Sequence, residues 1–244
     1  MKCFFVLEIF RTKYKGCIFA PKQTTMALIL NIETATKNCS VSIAKDGKTI
    51  ACKEIAEQNF SHAEKLHVFI EELLKENNLK FNALKAVAVS QGPGSYTGLR
   101  IGVSSAKGLC YALSIPMIAI DTLELLARKI SVKNGVIIPM IDARRMEVYS
   151  AIFNVDYIKT RAVEAEIIDE NSYSEINEII HLVGDGIAKF KDVLSDNKFV
   201  YHMDEVYPSA NEMSFLSFEK YKKSDFVDVA YFEPYYLKDF MMSK

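Results

Sequence analysis

Apolar and polar positions alternate near the start of the chain with the period of β-strands. An apolar-rich run at 27–32 is followed by two further runs of this kind, 39–44 and 49–55, which flank the pair Asp46-Gly47. An Asp-Gly pair between two such runs is a strong hairpin signal, because the tight turn needs positive φ angles that these residues accept. The pattern therefore predicts three antiparallel strands.

Helical periodicity follows these strands. Leu66, Ile70 and Leu73 recur at helical spacing between Ser61 and Asn77, and Ser-His-Ala-Glu at 61–64 is typical of a capping box. The pattern then predicts, in order, a strand at 86–90, a glycine-rich turn, a helix from Tyr96 to Leu113, a strand at 117–120 and a short helix begun by Asp121 or Thr122.

A second half begins near Ser131 and repeats the alternation. It predicts strands at 136–141, 147–153, 163–168, 181–183 and 199–202, and helices near 175–180, from 187, and at 210–222. The order of the first half is typical of the ribonuclease-H-like unit of actin-like and sugar-kinase-like proteins. We therefore expect an α/β fold of two similar subdomains, 26–130 and 131–244, each a mixed sheet flanked by helices.

The first 25 residues do not fit this pattern. Phe4, Val6 and Leu7 are apolar, but Glu8 and Arg11 interrupt the run before it is long enough for a signal peptide or a membrane span. We interpret residues 1–25 as a disordered or mis-assigned extension and Met26 as the start of the functional chain.

Composition narrows the classes of function. The 244 residues carry a formal net charge of −1, so binding RNA unaided would need a local basic patch. Arg144-Arg145 and Lys220–Lys223 are too short and scattered to form one. The five cysteines are odd in number and include no Cys-x-x-Cys, which indicates a reducing, cytoplasmic location and no zinc site.

The segment Gln-Gly-Pro-Gly-Ser-Tyr-Thr-Gly at 91–98 carries the main chemical signal. Gly94 and Ser95 come just before a helix, where backbone N–H groups can bind a phosphate, and Thr97 adds a hydroxyl. Glu33, at the end of the first strand, could help to hold a metal-bound nucleotide there. The alternatives are a tight packing turn and a carboxylate exposed at a strand end, and both are commoner.

Catalytic motifs are missing from the sequence. The chain has no His-Glu-x-x-His and no Gly-x-Ser-x-Gly, and His62 and His67 are five residues apart, a poor spacing for a helical metal site. Two more acids, Asp142 and Asp185, lie at predicted strand ends and could converge with Glu33. We expect neither a metal site nor catalytic residues.

Six segments carry a family resemblance, and they follow one another in order over nearly the whole chain after residue 25. They are Leu-Asn-Ile-Glu-Thr-Ala-Thr at 30–36, Ser-His-Ala-Glu-Lys-Leu at 61–66, the glycine segment at 91–102, Ile-Asp-Ala-Arg-Arg-Met-Glu-Val-Tyr at 141–149, Val-Gly-Asp-Gly at 183–186, and Glu-Pro-Tyr-Tyr-Leu-Lys at 233–238. The chain resembles the TsaB (YeaZ) family of bacterial tRNA threonylcarbamoyladenosine biosynthesis proteins. It departs from the family at Glu33, where Asp is usual.

The resemblance implies an actin-like ATPase fold and a non-catalytic relative of TsaD. TsaD carries two metal-binding histidines at positions that match Thr122 and Leu126 here, and these side chains cannot replace imidazoles. The family scaffolds and activates TsaD, which modifies N6 of the adenosine next to the anticodon in tRNAs reading codons that begin with A. The resemblance further implies homodimers, a complex with TsaE, tRNA contact only through the complex, and no cofactor beyond ATP and Mg²⁺ at the level of the complex.

The expected partner surface lies on the helices that begin at Ser61 and Tyr96. Its candidate contacts are His62, Leu66, Gly102, Lys107 and Tyr111. Arginine at Gly102 should then abolish partner binding and leave the monomer folded. Two alternatives stay open: a phosphotransferase that binds Mg-nucleotide at Glu33, Gly94 and Thr97, and, more distantly, a metallopeptidase.

Overall fold

The computed structural model of the protein describes residues 26–56 and 62–238. The predicted extension at 1–25 and Ser61, the first residue of the predicted capping box, lie outside the described residues. None of the helices in the described part of the chain is long and apolar enough to span a bilayer.

The first sheet has five strands: β1 (Leu28–Glu33), β2 (Asn38–Lys45), β3 (Lys48–Ala56), β4 (Ala86–Gly92) and β5 (Met117–Asp121). Their order across the sheet is β3-β2-β1-β4-β5, with β1, β2 and β3 antiparallel and β1, β4 and β5 parallel. Asp46 and Gly47 have φ angles of 51° and 83°, as the predicted hairpin turn requires. The three antiparallel strands are confirmed.

Three helices belong to this first half: α1 (His62–Glu76), α2 (Tyr96–Leu113) and α3 (Thr122–Ala127). α1 buries Leu66, Ile70 and Leu73, the positions that the helical spacing singled out. Asp121 caps α3, since its carboxylate accepts hydrogen bonds from the backbone N–H groups of Leu123 and Glu124 at 2.8 and 3.2 Å. The helices predicted from periodicity and capping are confirmed.

The second sheet repeats the arrangement with β6 (Val136–Asp142), β7 (Glu147–Asn154), β8 (Lys159–Ile167), β9 (Ile180–Val183) and β10 (Phe199–His202). Its order, β10-β9-β6-β7-β8, again places three antiparallel strands beside two parallel ones. The prediction of two similar α/β units with mixed sheets is confirmed.

Two predicted helices of the second half are wrong. Residues 170–175 form turns and 176–179 are irregular; the Asp169 carboxylate accepts hydrogen bonds from the Asn171 N–H at 2.9 Å and from the Ser172 hydroxyl at 3.0 Å. Such local side-chain bonds compete with helix formation. The helix expected from Ile187 is only the 3₁₀ turn Ala188–Phe190.

The last part of the chain returns to the first sheet. Helix α4 (Met213–Lys222) begins with Met213, which packs with Ile29, Ala86 and Ile118 on the sheet face opposite α1 and α2. Further on, the N–H of Val227 donates to the carbonyl of Met117 in β5 at 3.0 Å. The assignment of all of 131–244 to the second subdomain therefore needs correction, because the first sheet is apolar on both faces and needs α4 as its second cover.

Candidate functional site

Three backbone N–H groups of the glycine-rich segment at 91–98 are bonded within the chain. The N–H of Gly92 donates to Thr122 Oγ1 at 3.1 Å, and that of Ser95 donates to the carbonyl of Ala35 at 2.6 Å. Ser95 Oγ accepts from the N–H of Gly98 at 3.2 Å and so caps α2. These three donors are not available to a phosphate.

The space beside the turn is also filled. A Cβ atom added to Gly94 would lie 2.3 Å from the carbonyl oxygen of Ala35, and one added to Gly98 would lie 2.1 Å from that of Thr34. Thr34 Oγ1 donates to the Gly98 carbonyl at 2.8 Å, which ties the two segments together. The glycines serve close packing of the loop after β1 against α2, which leaves no room for a phosphate on that side of the turn.

Glu33 is fully buried rather than exposed at its strand end. Its Oε1 accepts a hydrogen bond from the N–H of Ala35 at 2.6 Å. Burial raises the pKa of this carboxyl to about 7, partly offset by that hydrogen bond. Thr97, by contrast, is exposed. Glu33, Gly94, Ser95 and Thr97 therefore do not form one cradle for a metal-bound nucleotide.

The three strand-end acids divide into two groups. Asp185 Oδ1 accepts from the N–H of Asp142 at 2.9 Å, and burial, followed by the Asp142 charge, raises the pKa of Asp185 to about 6. The carboxylate that acts on Glu33 is instead Glu212. Within residues 26–56 and 62–238, no three His, Cys, Asp or Glu side chains lie close enough together to hold a metal ion.

The two positions that the resemblance matches to metal-binding histidines are core positions here. Thr122 is fully buried and bonds the Gly92 N–H, as described above. Leu126 is fully buried as well, in an apolar cluster that joins α3 to the second sheet. Leu126 packs at the junction between the halves, whereas Thr122 bonds within the first half, and neither side chain offers a metal an imidazole nitrogen.

Three of the five predicted interface residues cannot touch a partner. His62 is 1% exposed and its Nε2 hydrogen-bonds the Thr36 carbonyl at 2.8 Å, while Leu66 is fully buried. Gly102 is buried too, and a Cβ there would lie 2.3 Å from Thr34 Oγ1. The expectation that arginine at Gly102 leaves the monomer folded is wrong, because the side chain would enter the core.

Lys107 and Tyr111, the other two predicted contacts, lie at the surface of the monomer. The Tyr111 side chain is 85% exposed, and Lys107 Nζ donates to the Ala230 carbonyl at 3.1 Å. With Gly108 they line a cavity of about 580 Å³ whose other wall is the segment 228–230. Nothing lies within 4 Å of a Cβ placed on Gly108, so packing inside the chain does not explain this glycine.

A second groove, of about 520 Å³, lies where the exposed faces of α1 and α2 meet. Its lining residues are Ala63, His67, Tyr96, Thr97, Arg100, Ile101, Ser104 and Ser105. Arg100 lies 4.2 Å over the Tyr96 ring, and its Nε donates to the Tyr236 hydroxyl at 3.3 Å. One sequence feature indicates this surface: the small residues Ser104, Gly108 and Ala112 recur on one side of α2. No sequence feature indicates a role for Arg100.

Comparison with known proteins identifies the family. The model of the family described as TsaD, tRNA N6-adenosine threonylcarbamoyltransferase, matches residues 52–235. The TsaB protein of Escherichia coli K12 is 32% identical over 86% of this chain and 94% of its own length. That of Bacillus subtilis 168 is 29% identical over 79% and 87%.

Two further relatives extend the comparison. A tRNA N6-adenosine threonylcarbamoyltransferase from Geotalea daltonii is 25% identical over 64% of this chain and 50% of its own. The solved structure of YeaZ from Pseudomonas aeruginosa aligns with a TM-score of 0.75 and 23% identity, over 87% of this chain and all of that one, which confirms the actin-like fold. The chain therefore belongs to the tRNA N6-adenosine threonylcarbamoyltransferase (TsaD) family, and within it to the TsaB (YeaZ) proteins.

Proposed function

We propose that this chain acts in tRNA threonylcarbamoyladenosine biosynthesis as a non-catalytic scaffold and activator of TsaD. In this role it binds TsaD directly, and TsaD transfers the threonylcarbamoyl group to N6 of the adenosine next to the anticodon. The TsaB proteins of E. coli and B. subtilis, which resemble it over most of their length, are named for this biosynthesis.

One observation carries the non-catalytic part of the proposal. The glycine-rich turn, where the sequence predicts a phosphate site, is packed on one side against Thr34 and Ala35 of the same chain. A phosphate there would have to displace a buried loop and break the hydrogen bond from the Ser95 N–H to the Ala35 carbonyl. In this proposal ATP and Mg²⁺ are therefore handled by the complex and not by this chain.

The proposed partner surface is the exposed side of α1 and α2. Exposed residues of these two helices replace the predicted contacts that are buried. The surface consists of Val68, Ser104, Gly108 and Tyr111, and Val68 and Tyr111 are 46% and 85% exposed. A glycine in an exposed helix costs about 1 kcal/mol relative to alanine. The close approach of a second helix accounts for Gly108, because a side chain there would hold the helices apart.

The remaining partners follow from the same proposal. A homodimer uses the same surface as TsaD, since a TsaD-type relative aligns with 64% of this chain at 25% identity. TsaE joins the pair, tRNA is brought in by the complex, and the complex works in the cytoplasm.

Reconstitution tests the function. Transfer to tRNA is measured with TsaD, TsaE and the adenylate-forming enzyme, with and without this chain, and nucleotide hydrolysis is measured for the chain alone. We expect modification only when the chain is present and no turnover without its partners. Modification that is indifferent to the chain would refute the scaffold role, and turnover by the chain alone would favour the phosphotransferase.

The variant Gly108→Arg tests the surface. The added side chain has open space within the monomer, so the protein should stay folded while the complex with TsaD is lost on a sizing column. Asn177→Arg is the matched control: it adds the same charge at an exposed position of the second half. Equal complex formation by both variants would show that the partner binds elsewhere.

A further inference from the structure

The hairpin turn between β6 and β7, residues 142–147, has an unusual backbone. Arg144 and Arg145 have φ angles of 73° and 52°, so two consecutive non-glycine residues adopt the left-handed conformation. Tight hairpins usually place Asn, Asp or Gly at such positions, because a Cβ atom is disfavoured there. Local turn chemistry therefore does not explain why this turn contains two arginines.

One lysine holds the turn in place. Lys189 Nζ donates to the carbonyls of Arg145 and Glu147 at 2.7 and 2.8 Å, and it forms an ion pair with Asp142. Asp142 Oδ1 also accepts from the N–H of Arg144 at 3.1 Å. One cation from the loop after β9 thus holds two carbonyls of the turn and the carboxylate at the start of the turn. The two arginines therefore extend from a rigid backbone.

Both arginine side chains are exposed, and neither is paired with a carboxylate in the described part of the chain. Among the described residues, neither guanidinium forms an ion pair or a side-chain hydrogen bond. The nearby carboxylates are already engaged: Asp142 with Lys189, and Glu147 with Lys238. A guanidinium has five N–H donors in a fixed fork that matches phosphate oxygens.

The fold also adds cations that are remote in sequence. Lys189 and Lys238 join the turn through the contacts above, and Lys37, after β1, lies near enough to lower the pKa of Asp185. Arg144-Arg145 was too short in sequence to make a basic patch. In the folded chain five cations share this end of the second sheet with three carboxylates.

We propose that the turn 142–147 binds phosphate groups of the RNA backbone through Arg144 and Arg145, so that this chain contacts the tRNA directly. The inference rests on the proposed function, which brings tRNA to the complex. Paired arginines on a fixed turn suit phosphate oxygens, and contacts of this kind position a nucleic acid without reading its sequence.

Fluorescence anisotropy of a labelled tRNA transcript tests this site, with the full chain bound to TsaD and salt varied. For Arg144→Gln/Arg145→Gln we expect the slope of log K against log salt to fall by about one per arginine, equally for tRNAs of different anticodons. Arg144→Gly/Arg145→Gly should lose the same slope without strain, because glycine accepts positive φ. The charge-matched control is Lys80→Gln/Lys85→Gln. These two exposed lysines precede β4, at the end of the first sheet that is remote from the turn 142–147.

Three outcomes would overturn the assignment. The first is an unchanged slope in both arginine variants, and the second is an equal loss in the lysine control. The third is displacement of the tRNA by ATP or inorganic phosphate at low millimolar concentration, which would point to a small phosphate ligand. A sizing column separates this inference from the proposed function: if wild type does not bind TsaD, the function fails, whereas an intact complex with unaltered RNA binding refutes only the turn.

Discussion

Gly102 and Gly108 lie on the same helix, α2, and face opposite surroundings. A Cβ on Gly102 would lie 2.3 Å from Thr34 Oγ1, and one on Gly108 would meet nothing within 4 Å. We expect Gly102→Ala to lower the free energy of unfolding by about 1–3 kcal/mol through overpacking. Gly108→Ala should raise it by up to about 1 kcal/mol through helix propensity. Urea denaturation measures both, and effects of the same sign would contradict the packing described for α2.

Glu33 makes stability depend on pH. Burial raises its pKa from 4.5 to about 7, so the folded state binds a proton that the unfolded state has released between these values. Stability is therefore fully present below about pH 4.5 and is lost as pH rises through 7. One pKa unit corresponds to about 1.4 kcal/mol, which places the loss on the order of 3 kcal/mol.

The variant Glu33→Gln isolates this contribution. Its amide oxygen can still accept from the Ala35 N–H but does not titrate. Asp185, whose pKa is also raised, gives a slope of the same sign in both proteins and cancels in the difference. We expect wild type minus variant, measured by urea unfolding, to fall between pH 5 and pH 8. Parallel curves would show that folding does not raise the pKa of Glu33.

Single residues also show what the sequence alone does not predict. The small side chains of α2 are typical of a helix that another element approaches closely, but their spacing does not say whether that neighbour belongs to the same chain. Gly98 and Gly102 approach Thr34, whereas Gly108 faces open space. Burial of His62 and Leu66 was likewise hidden, since the apolar face of a helix can cover its own core or a partner.

At the scale of elements, the rigid turn 142–147 depends on Lys189. Lys189→Met removes two hydrogen bonds to backbone carbonyls and the ion pair with Asp142. We expect about 1–2 kcal/mol less local stability, so that the Arg144 and Glu147 amides exchange roughly 5–30 times faster. RNA affinity should fall although both arginines remain.

Hydrogen exchange with mass spectrometry measures this effect. Lys191→Met, at an exposed position nearby, is the matched control and should leave exchange at the turn unchanged. If Lys189→Met leaves the amides as protected as in wild type, the turn is rigid without its lysine and the account of the held arginines is wrong.

Elements with local signals were predicted well. α2 has the predicted bounds, and the Asp46-Gly47 hairpin and the Asp121 cap lie where turn and capping chemistry placed them. The helices expected near 175–180 and from 187 failed, because side-chain bonds and short turns in that region override apolar spacing. The basic patch could not be predicted, since Lys37, Lys189 and Lys238 become neighbours only in the folded chain.

At the scale of the whole molecule, each half of the chain supplies a helix that packs on the sheet of the other half. The predicted boundary at 130 follows from the repeated strand pattern, but α4 and the segment after it complete the first sheet. In turn, helix α3 of the first half covers part of the second sheet, because Leu123 and Leu126 pack against that sheet. The repeated pattern predicts the strands of each half. It does not predict which half covers an apolar face of the other.

This exchange of elements predicts that the first half does not fold alone. A fragment 26–130 lacks α4 and therefore exposes the face formed by Ile29, Ala86 and Ile118, together with the α3 side chains that the second sheet covers. We expect it to aggregate or to form a loosely packed state that binds ANS and unfolds without a cooperative transition. The full chain, as control, should unfold in one step by urea, with coincident fluorescence and circular dichroism curves. A sharp urea transition and a dispersed amide spectrum for the fragment would instead restore 26–130 as an independent subdomain, with α4 as a peripheral addition.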